Sequence, residues 1–124
     1  QKDLKKNNFE EIDLVVVNFY PFEKTLEKTN NHLKIIENID IGGPTIVRAA
    51  AKNYNDVTVI TSSNQYDELI EEIEMNKGST SLAFREKMSS EAFSETAYYD
   101  AVISNYFNTF KKNNFPKKKL FMGI

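Results

Sequence analysis

The chain has 124 residues, with 16 Lys and Arg against 18 Asp and Glu and a formal charge of -2. That length suits one domain with a modest core, and the charge gives no global reason to expect nucleic acid or an anionic membrane as a partner. With no Cys and one His, the sequence excludes disulfides, a cysteine nucleophile, thiolate metal sites and a multi-histidine zinc site within one chain.

No apolar run reaches the roughly 20 residues of a membrane span, and no signal-peptide pattern opens the chain, so a cytoplasmic location is expected. The first stretch, Gln1 to Glu11, is polar and reads like the inside of a longer protein. Leu14-Val15-Val16-Val17-Asn18-Phe19 then forms a continuous, β-branched apolar run. It predicts a strand buried on both faces, as in a parallel sheet. Pro21 ends it, because proline cannot donate to a ladder. Phe22 to Asn31 is polar and without period, which predicts a loop.

Leu33, Ile36 and Ile39 recur at helical spacing and predict a short helix over Leu33 to Ile39 with these residues on one face. Asp40-Ile41-Gly42-Gly43-Pro44 follows. Pro44 suits a first helical turn, where its missing N–H is no loss, and Thr45 to Lys52 continues as a helix carrying Ala49, Ala50 and Ala51. Small residues there allow close approach to a sheet or a partner. Val57-Thr58-Val59-Ile60-Thr61 reads as a second strand, and a strand–helix–strand order with a long crossover implies parallel pairing.

Asn64 is placed to cap a helix in which Tyr66, Leu69, Ile70 and Ile73 share a face, with Gly78 as its terminator. Ser81 to Phe110 predicts one long or broken helix, with Tyr99, Val102, Ile103, Tyr106 and Phe110 as its clearest stripe. His32 is expected in a solvated loop. Lys111 to Ile124, rich in Lys and interrupted by Pro116, reads as a linker or tail following a domain that ends near residue 110. Two strands alone do not make a stable parallel sheet, so further strands are expected from sequence upstream or from a second chain.

Three places could carry chemistry. The Gly42-Gly43 turn opens a helix, where unpaired N–H groups and the helix dipole can hold a phosphate or an oxyanion, or where Asp40 serves only helix-end electrostatics. Lys52 ends that helix, a favourable place for any cation; a proton-transfer role requires a partner, for which Asp40 is the candidate. Asn18 and Tyr20 follow the first strand, at the carboxyl end where ligands gather in open α/β sheets, or else they satisfy loop backbone and pack against Pro21.

Three windows in register carry a resemblance. Ile12 to Thr25 (I-D-L-V-V-V-N-F-Y-P-F-E-K-T) resembles a segment of the IMP cyclohydrolase domain of the bifunctional purine enzymes that are also AICAR formyltransferases. Glu37 to Thr45 (E-N-I-D-I-G-G-P-T), with Arg48-Ala49-Ala50-Ala51-Lys52-Asn53, is similar to the central signature of that domain. Ala92 to Ala97, Tyr99-Asp100-Ala101 and Ile103 to Tyr106 are similar to its closing helix.

The resemblance implies a methylglyoxal-synthase-like α/β fold, a three-layer sandwich around a parallel sheet, here incomplete. It implies dehydrative ring closure of formyl-AICAR to IMP without a cofactor, a homodimeric parent, and 10-formyltetrahydrofolate as the cosubstrate of a formyltransferase domain not contained in this sequence. Neither nucleic acid nor membrane is implied as a partner. By resemblance, Lys52 matches the proton donor/acceptor lysine, Asp40 its partner and Tyr20 the active-site tyrosine. Val17, Asn18, Asp40, Ile41 and Gly42 match nucleotide-contacting positions.

The family's upstream phosphate-gripping segments, S-x-K-T and S-T-G-G-T, do not occur in the sequence, nor does the K-T-L-H-P segment that brings another active-site lysine. The expectation is therefore the C-terminal half of a cyclohydrolase domain, inactive by itself. The alternative is a non-catalytic binding or interaction fragment of the same fold; methylglyoxal synthase proper fits the three windows less well. The end, Phe121-Met122-Gly123-Ile124, departs from the family's pattern.

Overall fold

A computed structural model describes residues 13–112. The stretch expected as an internal opening, 1–11, together with Ile12, and most of the Lys-rich tail, 113–124, lie outside the described residues. The elements are β1 (Asp13–Val16), α1 (Phe22–Lys28), α2 (His32–Glu37), α3 (Gly42–Lys52), β2 (Val57–Ile60), a 3-10 turn (Ser63–Gln65), α4 (Tyr66–Met75) and α5 (Leu82–Phe110). No described helix is long and apolar enough to cross a membrane.

β1 and β2 pair in parallel, with Asp13 opposite Val57 and Val16 opposite Ile60. The Val17 N–H extends the ladder by donating to the Ile60 carbonyl at 2.9 Å. β2 is buried along its whole length, as an uninterrupted β-branched run requires. β1 departs from the expectation of burial on both faces: Leu14 and Val16 are 41 % and 44 % exposed. Among the described residues its outer edge has no partner strand, and its Leu14/Val16 side faces outward, leaving Val15 and Val17 to join the core.

α3 and α5 cover the sheet. Val47, Ala50 and Ala51 of α3 meet Phe84, Met88 and Ala92 of α5 and Val57, Val59 and Ile60 of β2 in one buried cluster. The alanines are the reason these helices approach closely; Ala51 and Ala92 are fully buried. A second cluster joins Phe22, Ile35 and Tyr99, with Phe19 touching both.

Four local expectations are corrected. Phe22–Lys28 is a helix, not a loop, because Phe22, Thr25 and Leu26 put a small inner face against α5 while Pro21 occupies the position before the first turn. In α2 the inner residue is Ile35, whereas Leu33 is 74 % exposed. His32 begins α2 instead of lying in a solvated loop: its Nδ1 is 2.8 Å from the Tyr106 hydroxyl and its ring stacks on Phe110 at 4.0 Å. The turn before α4 is capped by Ser62, not Asn64. The Ser62 side chain and Gln65 form a reciprocal capping box, and Gln65 Oε1 also accepts from the Thr61 N–H at 3.0 Å.

Gly78 ends the α4 region as expected. Its φ of 100° is a conformation that other residues rarely adopt, and its N–H returns to the Ile73 carbonyl at 2.8 Å. α5 is one unbroken helix, opened by Ser81, whose Oγ accepts from the Phe84 N–H at 3.1 Å.

The Ser81 N–H in turn donates to Glu72 Oε2 at 2.8 Å. This bond is the chief reason that the Glu72 carboxyl titrates below its ordinary value, with the Ser81 hydroxyl, Asn76 and the Arg85 charge adding to it. A carboxyl whose folded pKa lies below its unfolded one stabilises the fold above the unfolded value and stops doing so as pH falls through the folded value. Between about pH 5 and pH 3 the chain should therefore lose more stability than its Glu72→Gln variant. Water screens the site, so the difference in urea midpoint should correspond to less than about 1 kcal/mol. Equal acid slopes for the two proteins would contradict this.

Candidate active site

The turn into α3 is built around Asp40. Its Oδ1 accepts from the Gly43 N–H at 2.8 Å, so the carboxylate satisfies one of the donors left open at the helix start. A Cβ at Gly43 would come within 2.6 Å of Asp40 Oδ2, so any larger residue there would push the Asp40 carboxylate off its present position. The backbone of Asp40 is fixed from the other side, where its N–H donates to the hydroxyl of Tyr99 at 2.8 Å. Tyr99 is buried, and burial raises its pKa, an effect the Asp40 N–H opposes. Sequence reading did not nominate Tyr99 for this place. Its presence in the inward stripe of α5 was the available signal, but the contact spans 59 residues.

Ile41 and Gly42 are exposed beside Asp40, and nothing lies within 4 Å of where a Gly42 Cβ would stand. This end of α3 therefore offers open backbone to a ligand. Lys52 occupies the other end of the same helix, about 15 Å from Gly42 along the axis at 1.5 Å per residue. It is exposed and has no hydrogen-bond or ion-pair partner among the described residues. The structure does not bring Asp40 and Lys52 together; each is placed by α3, at opposite ends.

Val17 and Asn18 leave β1 at its carboxyl end. Asn18 Nδ2 donates to the Tyr66 hydroxyl at 3.4 Å. Tyr20 is 44 % exposed, and its hydroxyl accepts from Lys28 Nζ at 2.8 Å. That bond raises the Lys28 pKa. A cation thus sits on the phenolic oxygen nominated for the chemistry, a pairing missed because Phe22–Lys28 was expected as a loop.

A cavity of about 300 Å³ opens where both strands end. Asn18, Glu23, Thr61, Ser63, Glu95 and Tyr98 contribute to its wall. Of the nominated residues, Asn18 alone is on that wall. The Tyr98 hydroxyl donates to both oxygens of Glu23 at 2.9 Å, and this bond raises the Tyr98 pKa. A crevice outside the carboxyl ends of parallel strands is the usual place for a ligand in an open α/β sheet.

Comparison with known proteins decides the family. The sequence profile of the AICARFT/IMPCHase bienzyme matches residues 50–123. The chain belongs to the AICARFT/IMPCHase bienzyme family. It is 49 % identical over 114 residues to the bifunctional purine biosynthesis protein PurH of Rippkaea orientalis, covering 91 % of this chain and 22 % of that protein. With PurH of Lactobacillus acidophilus it shares 54 % identity over 104 residues, 83 % of this chain and 20 % of the relative. The chain thus spans about a fifth of the curated relatives it matches.

The crystal structure of ForH superposes with a TM-score of 0.64 at 26 % identity, covering 86 % of this chain and 56 % of that one. The mixed α/β architecture with its parallel strand pair is consistent with the methylglyoxal-synthase-like fold expected from the sequence.

Proposed function

We propose that the chain is the C-terminal half of an IMP cyclohydrolase domain within a bienzyme that also formylates AICAR. The single observation that carries this reading is membership of the AICARFT/IMPCHase family, in a chain that retains Asp40, Lys52 and Tyr20 in the expected motifs. Residues 1–110 would then be the partial cyclohydrolase domain and 111–124 the linker toward the formyltransferase part. The substrate is formyl-AICAR and the product IMP, in the cytoplasm, and the parent is a homodimer. 10-Formyltetrahydrofolate serves the formyltransferase step, and no residue of this chain is given a role toward it.

In the ring closure the carboxamide nitrogen attacks the formyl carbon. A C–N bond forms and the formyl oxygen becomes an oxyanion; one proton from the carboxamide nitrogen makes it a hydroxyl, and it leaves as water when the formamide nitrogen gives up its proton and forms the ring C=N bond. Both reacting groups lie in one molecule, so holding them in a near-attack geometry removes much of the barrier. The exposed backbone at Ile41 and Gly42, with Val17, Asn18 and Asp40, would hold the nucleotide. Tyr20, its oxygen already beside the Lys28 ammonium, would bond the developing oxyanion. Lys52 would move protons, with Asp40 as its partner in the cycle. Their separation along α3 means that this partnership cannot be a direct hydrogen bond in the geometry described.

The test is ring closure by a protein in which this chain is joined to the upstream part of the domain that carries the phosphate-gripping segments. Formyl-AICAR is supplied and IMP is followed by ultraviolet absorbance. Steady turnover is expected; a folded joined protein without turnover would overturn the assignment.

A further inference from the structure

Where α2 gives way to α3, the main chain runs out of acceptors of its own. The Asn38 and Ile39 N–H groups still reach the carbonyls of Ile35 and Ile36, and the Thr45 N–H reaches Ile41. Between them, Asp40, Ile41, Gly42 and Gly43 find no backbone acceptor among the described residues. Side chains take two of these donors: Asp40 Oδ1 takes the Gly43 N–H and the Tyr99 hydroxyl takes the Asp40 N–H, both at 2.8 Å. The Ile41 and Gly42 N–H groups stay open, on exposed residues.

Tyr99 reaches this turn from α5, across 59 positions, and is 6 % exposed. Burial pushes its pKa up, so the phenol stays neutral in the physiological range while its oxygen accepts from the Asp40 N–H. Its ring is held as firmly as its hydroxyl. It lies 5.3 Å from the Phe19 ring at a tilt of 54° and shares the second core cluster with Phe22 and Ile35. Phe19 stands between Asn18 and Tyr20 in the chain. One buried side chain therefore joins the exit of β1 to the entry of α3.

We infer that Tyr99 is a positioning residue for nucleotide binding: its hydroxyl sets the turn into α3, its ring sets Phe19, and the ligand contacts on the two elements are thereby held in register. The inference rests on the proposed function for the nucleotide and for the role of Asn18, Ile41 and Gly42 toward it. Without the hydroxyl the Asp40 N–H loses its acceptor, the turn takes up other shapes, and the Ile41 and Gly42 donors no longer point one way. Lys52 lies at the far end of α3 and Tyr20 is held by Lys28, so the proton-transfer machinery keeps its place.

Tyr99→Phe removes the hydroxyl and keeps the ring. In the isotopically labelled 124-residue chain, hydrogen exchange at the Asp40 amide should quicken about tenfold, with shifted signals at Ile41 and Gly42. The amides of Val59 and Ala92, in the first core cluster, should exchange as in the parent. In the joined protein the dissociation constant for IMP should rise about tenfold, the effect of losing one positioning hydrogen bond, while kcat stays within about threefold. Met88→Leu changes the first core cluster about three turns away on α5 and should lower the urea midpoint without moving the IMP constant.

Unchanged exchange at Asp40, or an IMP constant within about twofold of the parent in Tyr99→Phe, would overturn the inference. An equal rise in Met88→Leu would overturn it too, by marking the effect as a general loss of packing. Weakened IMP binding in Tyr99→Phe, in a joined protein without turnover, would uphold Tyr99 and refute the proposed ring closure. Normal turnover with IMP binding untouched by the substitution would do the reverse. A joined protein that neither binds IMP nor turns over would refute both.

Discussion

Replacing Lys52 by alanine in the joined protein should lower kcat for IMP formation by about 10²–10⁴-fold, the usual contribution of a positioned proton donor or acceptor. The structure makes this substitution informative. Lys52 is exposed, ends α3, and pairs with no described residue, so its removal costs the fold only the favourable placing of a cation at a helix C-terminus, about 0.3–1 kcal/mol. A large loss of rate with no more than that small fall in unfolding midpoint therefore isolates chemistry from stability. Lys52→Arg should stay impaired, because arginine keeps the charge but does not release a proton near neutral pH. A Lys52→Ala protein within threefold of the parent rate would remove Lys52 from the reaction.

The largest effect on stability is expected at Phe22. It is 1 % exposed, closes the second core cluster with Ile35 and Tyr99, and meets the Tyr106 ring edge-on at 5.8 Å. Phe22→Ala removes that buried surface and leaves a cavity under α1, a change that costs about 3–5 kcal/mol. Urea unfolding of the 124-residue chain measures it as a fall in midpoint at constant m-value. A cost below about 1 kcal/mol would show that α1 is not held by this contact.

What the sequence made legible was local. The uninterrupted apolar run of β2, the Gly-Gly-Pro entry to α3 and the left-handed Gly78 each follow from the chemistry of a few neighbouring residues. α1 was not legible because its inner face is only Phe22, Thr25 and Leu26, too short to show a period beside so many charges. Ser62 was hidden for a similar reason: its cap depends on Gln65 folding back, whereas Asn64 looked the better capping residue in isolation.

The candidate site was legible as a set of residues through the family resemblance, but its geometry was not. Tyr99 reaches Asp40 across 59 positions and Tyr98 reaches Glu23 across 75, and neither pairing leaves a pattern in the chain. The placing of Asp40 and Lys52 at opposite ends of α3 was foreshadowed, since an uninterrupted helix between them fixes their distance.

β1 ties the fold to the function. Its outer edge, without a partner among the described residues, and its exposed Leu14 and Val16 present the surface that further strands of a parallel sheet would cover. On the proposed reading, the segments that grip phosphate arrive with those strands. The chain would then supply Asp40, Lys52 and Tyr20 to a site completed elsewhere.

The most direct measurement follows IMP formation from formyl-AICAR by the 124-residue chain alone, by the separately produced upstream half-domain alone, and by the joined protein. Turnover by the joined protein, with silence from each half, is the expected result. Turnover by the 124-residue chain alone would contradict the view that it carries only one side of the site, and a folded but silent joined protein would contradict the cyclohydrolase assignment itself.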